Sequence, residues 1–130
     1  MQFGMVGLGR MGANMAERLV RGGHEAMGFD PSPEARALAA GKGISPAASL
    51  AELVGRLPAP RVLWLMVPAG KIVDDTLAEL LPLLSRDDVV VDGGNSFYKD
   101  TLRRGRMLAE QGVHYVDCGT SGGVWGLAEG

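Results

Sequence analysis

The opening stretch of this chain, Phe3-Gly4-Met5-Val6-Gly7-Leu8-Gly9-Arg10-Met11-Gly12, runs an apolar strand pattern into Gly-x-Gly-x-x-Gly and then into a helix-forming segment. Each glycine in that order has a separate steric task. Gly7 permits the tight turn out of the strand. Gly9 carries no side chain to keep a pyrophosphate off the main chain, and Gly12 lets the new helix pack close to the strand. The N-terminal dipole and backbone N–H groups of that helix then face anionic phosphates. Asp30 closes the next apolar run, about 20 residues on, where an acidic side chain accepts hydrogen bonds from the adenosine ribose hydroxyls. The pattern predicts a dinucleotide site contacted by Gly7, Leu8, Gly9, Arg10, Met11, Gly12 and Asp30. A glycine motif alone would equally suit a tight turn that binds nothing. The strand before it, the helix after it and Asp30 separate the two readings.

At 130 residues the chain has the size of one ordinary domain, with enough sequence for a real core. Glycine is abundant, at 20 residues, and aromatic residues make up only 5%, which suits an α/β protein built on small aliphatic side chains and close turns. A formal charge of −2 argues against nucleic acid or an anionic membrane as partner. The single cysteine, Cys118, excludes an internal disulfide framework and favours a reducing compartment. No apolar run has the length of a membrane span, and the N-terminus lacks the basic region and cleavage site of a signal peptide. A cytoplasmic setting is expected.

Short apolar runs alternate with longer helical patterns, which predicts a parallel sheet with crossover helices. Strands are expected at 2–7, 25–30, 61–67, 89–92 and 113–118, with a minor one near Ile44. Helices are expected at 11–21, after Ser32-Pro33, from Ser49, at 69–84 and at 96–111. The first turns Met15, Leu19 and Val20 inward and stops at Gly22-Gly23. The second has Ser32 as its cap and Pro33 at its first position. The fold class is therefore α/β, a Rossmann-type doubly wound parallel sheet forming a single domain over 1–130, with strand order 3-2-1-4-5-6. The glycine-rich run from Ser121 to Gly130 leads toward another element, so the chain is expected to be the N-terminal part of a longer enzyme.

In an open α/β sheet ligands bind beyond the carboxyl ends of the strands. After the glycine turn, the next loop there is Asp30-Pro31-Ser32. An NADP site wants a cation just past the acidic position, but Pro31 stands there and Asp30 repels a 2′-phosphate. Arg36 is expected well into the helix, so NAD is favoured over NADP. In the plainer alternative Asp30 only helps to cap the second helix. The third loop carries Met66, Val67, Pro68 and Ala69, whose backbone can pack against adenine or the nicotinamide ribose, or form a simple turn. The fourth is Asp92-Gly93-Gly94-Asn95-Ser96, where Asn95 offers an amide donor and an acceptor to cofactor and substrate and Ser96 serves as a helix cap. Past the last strand, Ser121, Gly122 and Gly123 supply N–H groups and a hydroxyl suited to a carboxylate or polyol, or form by themselves only a glycine-rich loop. His24 and His114 precede strands and read as structural or solvated. Cys118 reads as a small core residue, because no histidine is placed to activate it. Trp125 either walls a pocket or packs under a further domain, and Arg103-Arg104-Gly105-Arg106 reads as a solvated helix face.

Gly7-Leu8-Gly9-Arg10-Met11-Gly12-Ala13-Asn14-Met15 resembles the opening of the β-hydroxyacid dehydrogenase superfamily. Two further stretches are narrower. Asp92-Gly93-Gly94-Asn95-Ser96-Phe97-Tyr98-Lys99-Asp100-Thr101, followed by Arg103-Arg104, resembles the decarboxylating 6-phosphogluconate dehydrogenases. Asp117-Cys118-Gly119-Thr120-Ser121-Gly122-Gly123-Val124-Trp125-Gly126 is similar to the substrate loop of that family's short, bacterial-type branch. The likeness extends over the whole chain. It implies oxidation of 6-phosphogluconate at C3 with a nicotinamide cofactor, then decarboxylation to ribulose 5-phosphate. By the same likeness Asn95 contacts the nicotinamide end and the substrate, Ser121, Gly122 and Gly123 hold the sugar acid, and residues 66–69 line the cofactor groove. Asp30-Pro31-Ser32 stands where NADP-using members carry Asn-Arg-Thr, which again points to NAD. Phe97 stands where the long-form enzymes usually carry glutamate.

The resemblance also implies what this chain lacks. The family's catalytic lysine and its glutamate partner belong to segments beyond Gly130, so no catalytic residue is assigned here. An all-helical domain following this one would complete the pocket and make the contacts of a homo-oligomer. The 130-residue chain alone is expected to bind NAD weakly or not at all and to turn over nothing. Two other functions compete. One is a β-hydroxyacid dehydrogenase for 3-hydroxyisobutyrate or tartronate semialdehyde, against which the Gly93-Gly94-Asn95-Ser96 turn argues. The other is a non-catalytic NAD-binding module, complete as it stands.

Overall fold

The short apolar runs become strands because crossover helices cover both of their faces. The computed structural model describes residues 2–67, 70–93 and 98–117. Along these the chain runs β1 (Gln2–Val6), α1 (Arg10–Arg21), β2 (Glu25–Phe29), α2 (Pro33–Ala40), β3 (Ser45–Pro46), α3 (Leu50–Arg56) and β4 (Val62–Leu65). It continues through α4 (Lys71–Leu80), a 3-10 turn (Leu81–Leu83), β5 (Val89–Asp92), α5 (Tyr98–Ala109) and β6 (His114–Asp117). Every strand pair is parallel, and the order across the sheet is β3-β2-β1-β4-β5-β6. This is the doubly wound order that the alternation of patterns predicts, and the minor strand near Ile44 is β3.

Alternation along the strands divides the core in two. Phe3 and Met5 of β1 pack with Leu8, Ala16, Ala26, Ala39 and Ile44 on the face covered by α1 and α2. Val6, Leu63, Leu65 and Val90 join Leu53, Val54, Val73, Leu77, Leu80 and Leu108 on the face covered by α3, α4 and α5. Met15, Leu19 and Val20 of α1 turn inward as expected, each partly buried against the first of these clusters.

Local signals set the helix limits. Ser32 Oγ accepts from the Ala35 amide at 3.2 Å with Pro33 at the first helical position, and Ser49 Oγ accepts from the Glu52 amide at 3.1 Å. The helix expected at 69–84 is shorter, because Pro82 has no N–H to continue the ladder and α4 passes into the 3-10 turn. Register then levels the strand ends. Val6 lies opposite both Phe29 and Leu65, Leu65 opposite Asp92, and Asp92 opposite Asp117. One sheet edge thus gathers the loops that follow β1, β2, β4 and β5.

Candidate functional site

The centre of that edge is the gap between β1 and β4, where the chain's crossovers change direction and open sheets bind their ligands. Gly7 leaves β1 with φ +97°, and its amide donates to the Phe29 carbonyl at 2.9 Å. A Cβ on Gly7 would lie 2.5 Å from the Met66 carbonyl oxygen, so the β1 turn and the loop after β4 touch at this residue. A Cβ on Gly12 would collide with the Gly7 carbonyl oxygen. Both positions are therefore fixed by the protein's own packing.

Gly9 differs. It caps α1 with extended backbone and no side-chain hydrogen bond, and a Cβ placed there would meet nothing within 4 Å. The protein has room for a side chain at Gly9 but carries none, and α1 has no acidic residue in its first turn. An uncapped helix N-terminus beside an open glycine fits a dinucleotide pyrophosphate. Of the other residues expected to contact the cofactor, Leu8 is buried, Arg10 is exposed as the first residue of α1, and Met11 is half-buried. Met66 and Val67 are half-buried after β4. Pro68, Ala69, Asn95, Ser121, Gly122 and Gly123 lie outside the described residues, as do Ser96, Cys118 and Trp125.

Asp30 joins two loops. Its Oδ2 accepts from the Leu8 amide at 2.8 Å, and its Oδ1 accepts from the Ser32 amide at 2.8 Å. A carboxylate offers about four lone-pair positions, so acceptor capacity remains for ribose hydroxyls. The expected position of Arg36 on the second helix holds, but its reach needs correction. Its Nη1 turns back to donate to the Asp30 carbonyl at 3.0 Å. Sequence distance misled because an arginine stem spans a helical turn, and the cation stands beside Asp30 itself.

A second correction concerns the arginine cluster on α5. Arg103 and Arg106 are exposed, whereas Arg104 is 0% exposed. Arg104 Nε donates to Asp74 Oδ1 at 2.9 Å and its Nη2 to the Gly70 carbonyl at 3.2 Å, while its Nη1 lies 3.9 Å from Asp92 Oδ2. Asp92 is itself 0% exposed and accepts from the Tyr115 hydroxyl at 2.6 Å. The Arg104 hydrogen bond is the main influence holding the Asp74 carboxyl below its usual range, against partial burial. Burial opposes the charge of Arg104, and Asp74 overcomes it, so the guanidinium is held more firmly charged. Burial first, then the bond to Asp92, pushes the Tyr115 hydroxyl well above its ordinary range.

Sequence reading missed Arg104, Asp74, Asp92 and Tyr115 as a group. A signal was present: Arg104 stands four residues before Leu108, also 0% exposed, and so falls on the buried stripe of α5. His24 and His114 flank strand starts away from this edge. His114 is exposed, with Nε2 3.4 Å from Asp87 Oδ1.

Comparison with known proteins agrees with this geometry. Residues 2–130 match the family model described as the NAD binding domain of 6-phosphogluconate dehydrogenase. The chain is 51% identical over 130 residues to the NAD(+)-dependent, decarboxylating 6-phosphogluconate dehydrogenase of Haloferax volcanii, covering 100% of this chain and 42% of that protein. It thus spans about two fifths of that relative's length. Among solved structures, Plasmodium falciparum 6-phosphogluconate dehydrogenase, studied with NADP+ and with 6-phosphogluconate, superposes with TM-score 0.92 at 26% identity, over 98% of this chain and 28% of that one. Mycobacterium tuberculosis 3-hydroxyisobutyrate dehydrogenase does so with TM-score 0.87 at 31% identity, over 95% and 42% of the two chains.

Proposed function

This chain belongs to the family of 6-phosphogluconate dehydrogenase NAD-binding domains, and from that premise we propose that it is the cofactor half of an NAD-preferring enzyme. That enzyme oxidises 6-phosphogluconate and decarboxylates the product to ribulose 5-phosphate. The observation that carries the reading is the identity to the Haloferax volcanii enzyme along the whole chain. The choice of NAD rests on Asp30, whose carboxylate lies beside the glycine turn and repels a 2′-phosphate. Arg36 moderates that repulsion without replacing it, since its guanidinium is engaged with the Asp30 carbonyl.

Each residue has a defined task in this proposal. NAD, when bound, supplies the hydride acceptor. Gly9 leaves the turn open to the pyrophosphate, and the N-terminus of α1 stabilises its charge. Asp30 accepts from the ribose hydroxyls. Residues 66–69 line the groove, Asn95 orients the nicotinamide end and the substrate, and Ser121, Gly122 and Gly123 hold the sugar acid. Proton transfer falls to a lysine and a glutamate outside these 130 residues, where a closed site can tune their pKa values. Residues 1–130 form one cofactor domain in this proposal, a following helical domain makes the homo-oligomer, and the setting is cytoplasmic. No described helix is long and apolar enough to cross a membrane.

The test is steady-state kinetics on the full-length protein with NAD and NADP. Reduction of NAD with 6-phosphogluconate, at higher kcat/KM than NADP, is the expected result. A preference for NADP overturns the assignment to Asp30. The likeness to a 3-hydroxyisobutyrate dehydrogenase supports a second reading, and faster turnover of 3-hydroxyisobutyrate than of 6-phosphogluconate would select it. The 130-residue chain alone is expected to show no turnover with either acid.

A further inference from the structure

Arg104 reaches the two loops that matter most at the sheet edge without belonging to either. Its Nη2 holds the carbonyl of Gly70, the residue leading into α4, which has φ +94°. Its Nη1 faces Asp92, the last residue of β5, and the next residue, Gly93, donates its amide to the Leu65 carbonyl at 2.9 Å. Asp74 fixes the third side of the guanidinium, and Tyr115 fixes Asp92 from β6. A tie between α4 and α5 alone would not need this arrangement, because exposed Arg103 already grips both oxygens of Asp74 at 3.1 Å. What Arg104 adds is contact with the residues flanking the loops after β4 and β5.

We propose that Arg104 is a positioning residue, bracing Gly70 at the entry to α4 against Asp92 at the end of β5 so that the sheet edge meets the cofactor in one fixed geometry. The proposal rests on the dehydrogenase reading for its functional consequence. Its physical basis is the planar fork of arginine, which holds several acceptors at set angles where a lysine ammonium acts as one mobile point charge. A buried charge also cannot leave its partners without a large penalty, so the brace does not slide. Removing it frees Gly70 and Asp92 together.

The test uses the full-length protein with Arg104→Met, Arg104→Lys and the milder Tyr115→Phe, which removes the hydroxyl that bonds Asp92 and also faces Arg104. Hydrogen exchange is followed at Met66, Val67 and Gly70 after β4 and at Gly93 after β5, alongside melting temperature and kinetics with NAD. Arg104→Met is expected to speed exchange in both loops and to lower kcat/KM on the order of tenfold to a hundredfold. Arg104→Lys restores the melting temperature but not kcat. Tyr115→Phe lowers kcat and leaves the KM for NAD within about twofold, a split that simple destabilisation does not produce. Exchange that changes in one loop alone, lysine variants with wild-type kcat, or folded variants with unchanged kcat and KM would overturn the proposal. A wild-type protein that fails to oxidise 6-phosphogluconate sinks the dehydrogenase reading instead, while coupled exchange still decides the role of Arg104.

Discussion

The Leu8 amide donates to Asp30 Oδ2 at 2.8 Å, so the acid that follows β2 anchors the glycine turn after β1. Its other oxygen takes the Ser32 amide at 2.8 Å, tying the entry of α2 to the same point. Asp30→Ala removes two charge-assisted bonds and is expected to lower folding stability by roughly 1–3 kcal/mol. NAD affinity falls in the same variant. Chemical denaturation and calorimetric titration measure the two losses separately, and a variant with wild-type stability contradicts the anchoring role. Redesign toward NADP at this position accordingly carries a stability penalty.

Gly9 and Gly12 separate binding from folding. A methyl at Gly9 meets nothing within 4 Å, whereas one at Gly12 strikes the Gly7 carbonyl oxygen. Gly9→Ala is expected to melt within a few degrees of wild type but to bind NAD about tenfold more weakly, since the methyl occupies the approach of the pyrophosphate. Gly12→Ala is expected to lose about 1–3 kcal/mol through overpacking. Equal stability losses in the two variants would show that Gly9 is held by the fold and not kept open for a ligand.

The opposite sheet edge offers a control. Asp88 is 0% exposed and accepts from the Arg61 amide at 2.7 Å, the Ser85 amide at 2.8 Å and Arg61 Nη1 at 3.1 Å. It stands immediately before β5, at the amino end of the strands, far from the glycine turn. Asp88→Ala leaves those donors without their acceptor and is expected to destabilise by roughly 3–5 kcal/mol. The NAD affinity of the folded fraction stays at the wild-type value. An affinity change beyond about threefold, roughly 0.6 kcal/mol, would mean that the two sheet edges are coupled.

The sheet was legible in the sequence because its causes are local and periodic. Apolar runs such as Val62 to Leu65 alternate with helix patterns, and Ser32, Ser49 and Gly22 mark helix limits. The positions of Gly7, Gly12 and Asp30 were legible too, since a motif with its context encodes backbone shape. Side-chain reach was not legible. Arg36 folds back to Asp30 from one helical turn away, and Arg104 gathers Gly70, Asp74 and Asp92 from elements far apart in sequence. Periodicity reports which face a residue occupies, but a long cation sets its own partners in three dimensions. An arginine on an apolar stripe is the one clue that carries over, because a buried charge requires an acid nearby.

Two partners in the cluster around Arg104, Tyr115 and Asp74, link stability to pH at opposite ends of the scale. Tyr115 has its folded pKa raised, chiefly by burial and then by its bond to Asp92. The native state therefore keeps the phenol protonated, and the stability this contributes is full below the ordinary tyrosine value, about 10, and declines as pH rises above it. Asp74 is shifted downward, chiefly by Arg104, so its contribution is full above the ordinary aspartate value, about 4, and is lost as pH falls through the lower folded value. Denaturation midpoints measured across pH are expected to drop at both limits in wild type. Tyr115→Phe flattens the alkaline limb only, and Asp74→Asn the acid limb only. Ultraviolet titration adds a direct check: the tyrosinate signal missing in Tyr115→Phe should appear in wild type only as the protein unfolds. Ionisation of Tyr115 near pH 10 in folded protein would mean that the hydroxyl is not held by Asp92 in solution, and the brace around Arg104 would lose its β6 support.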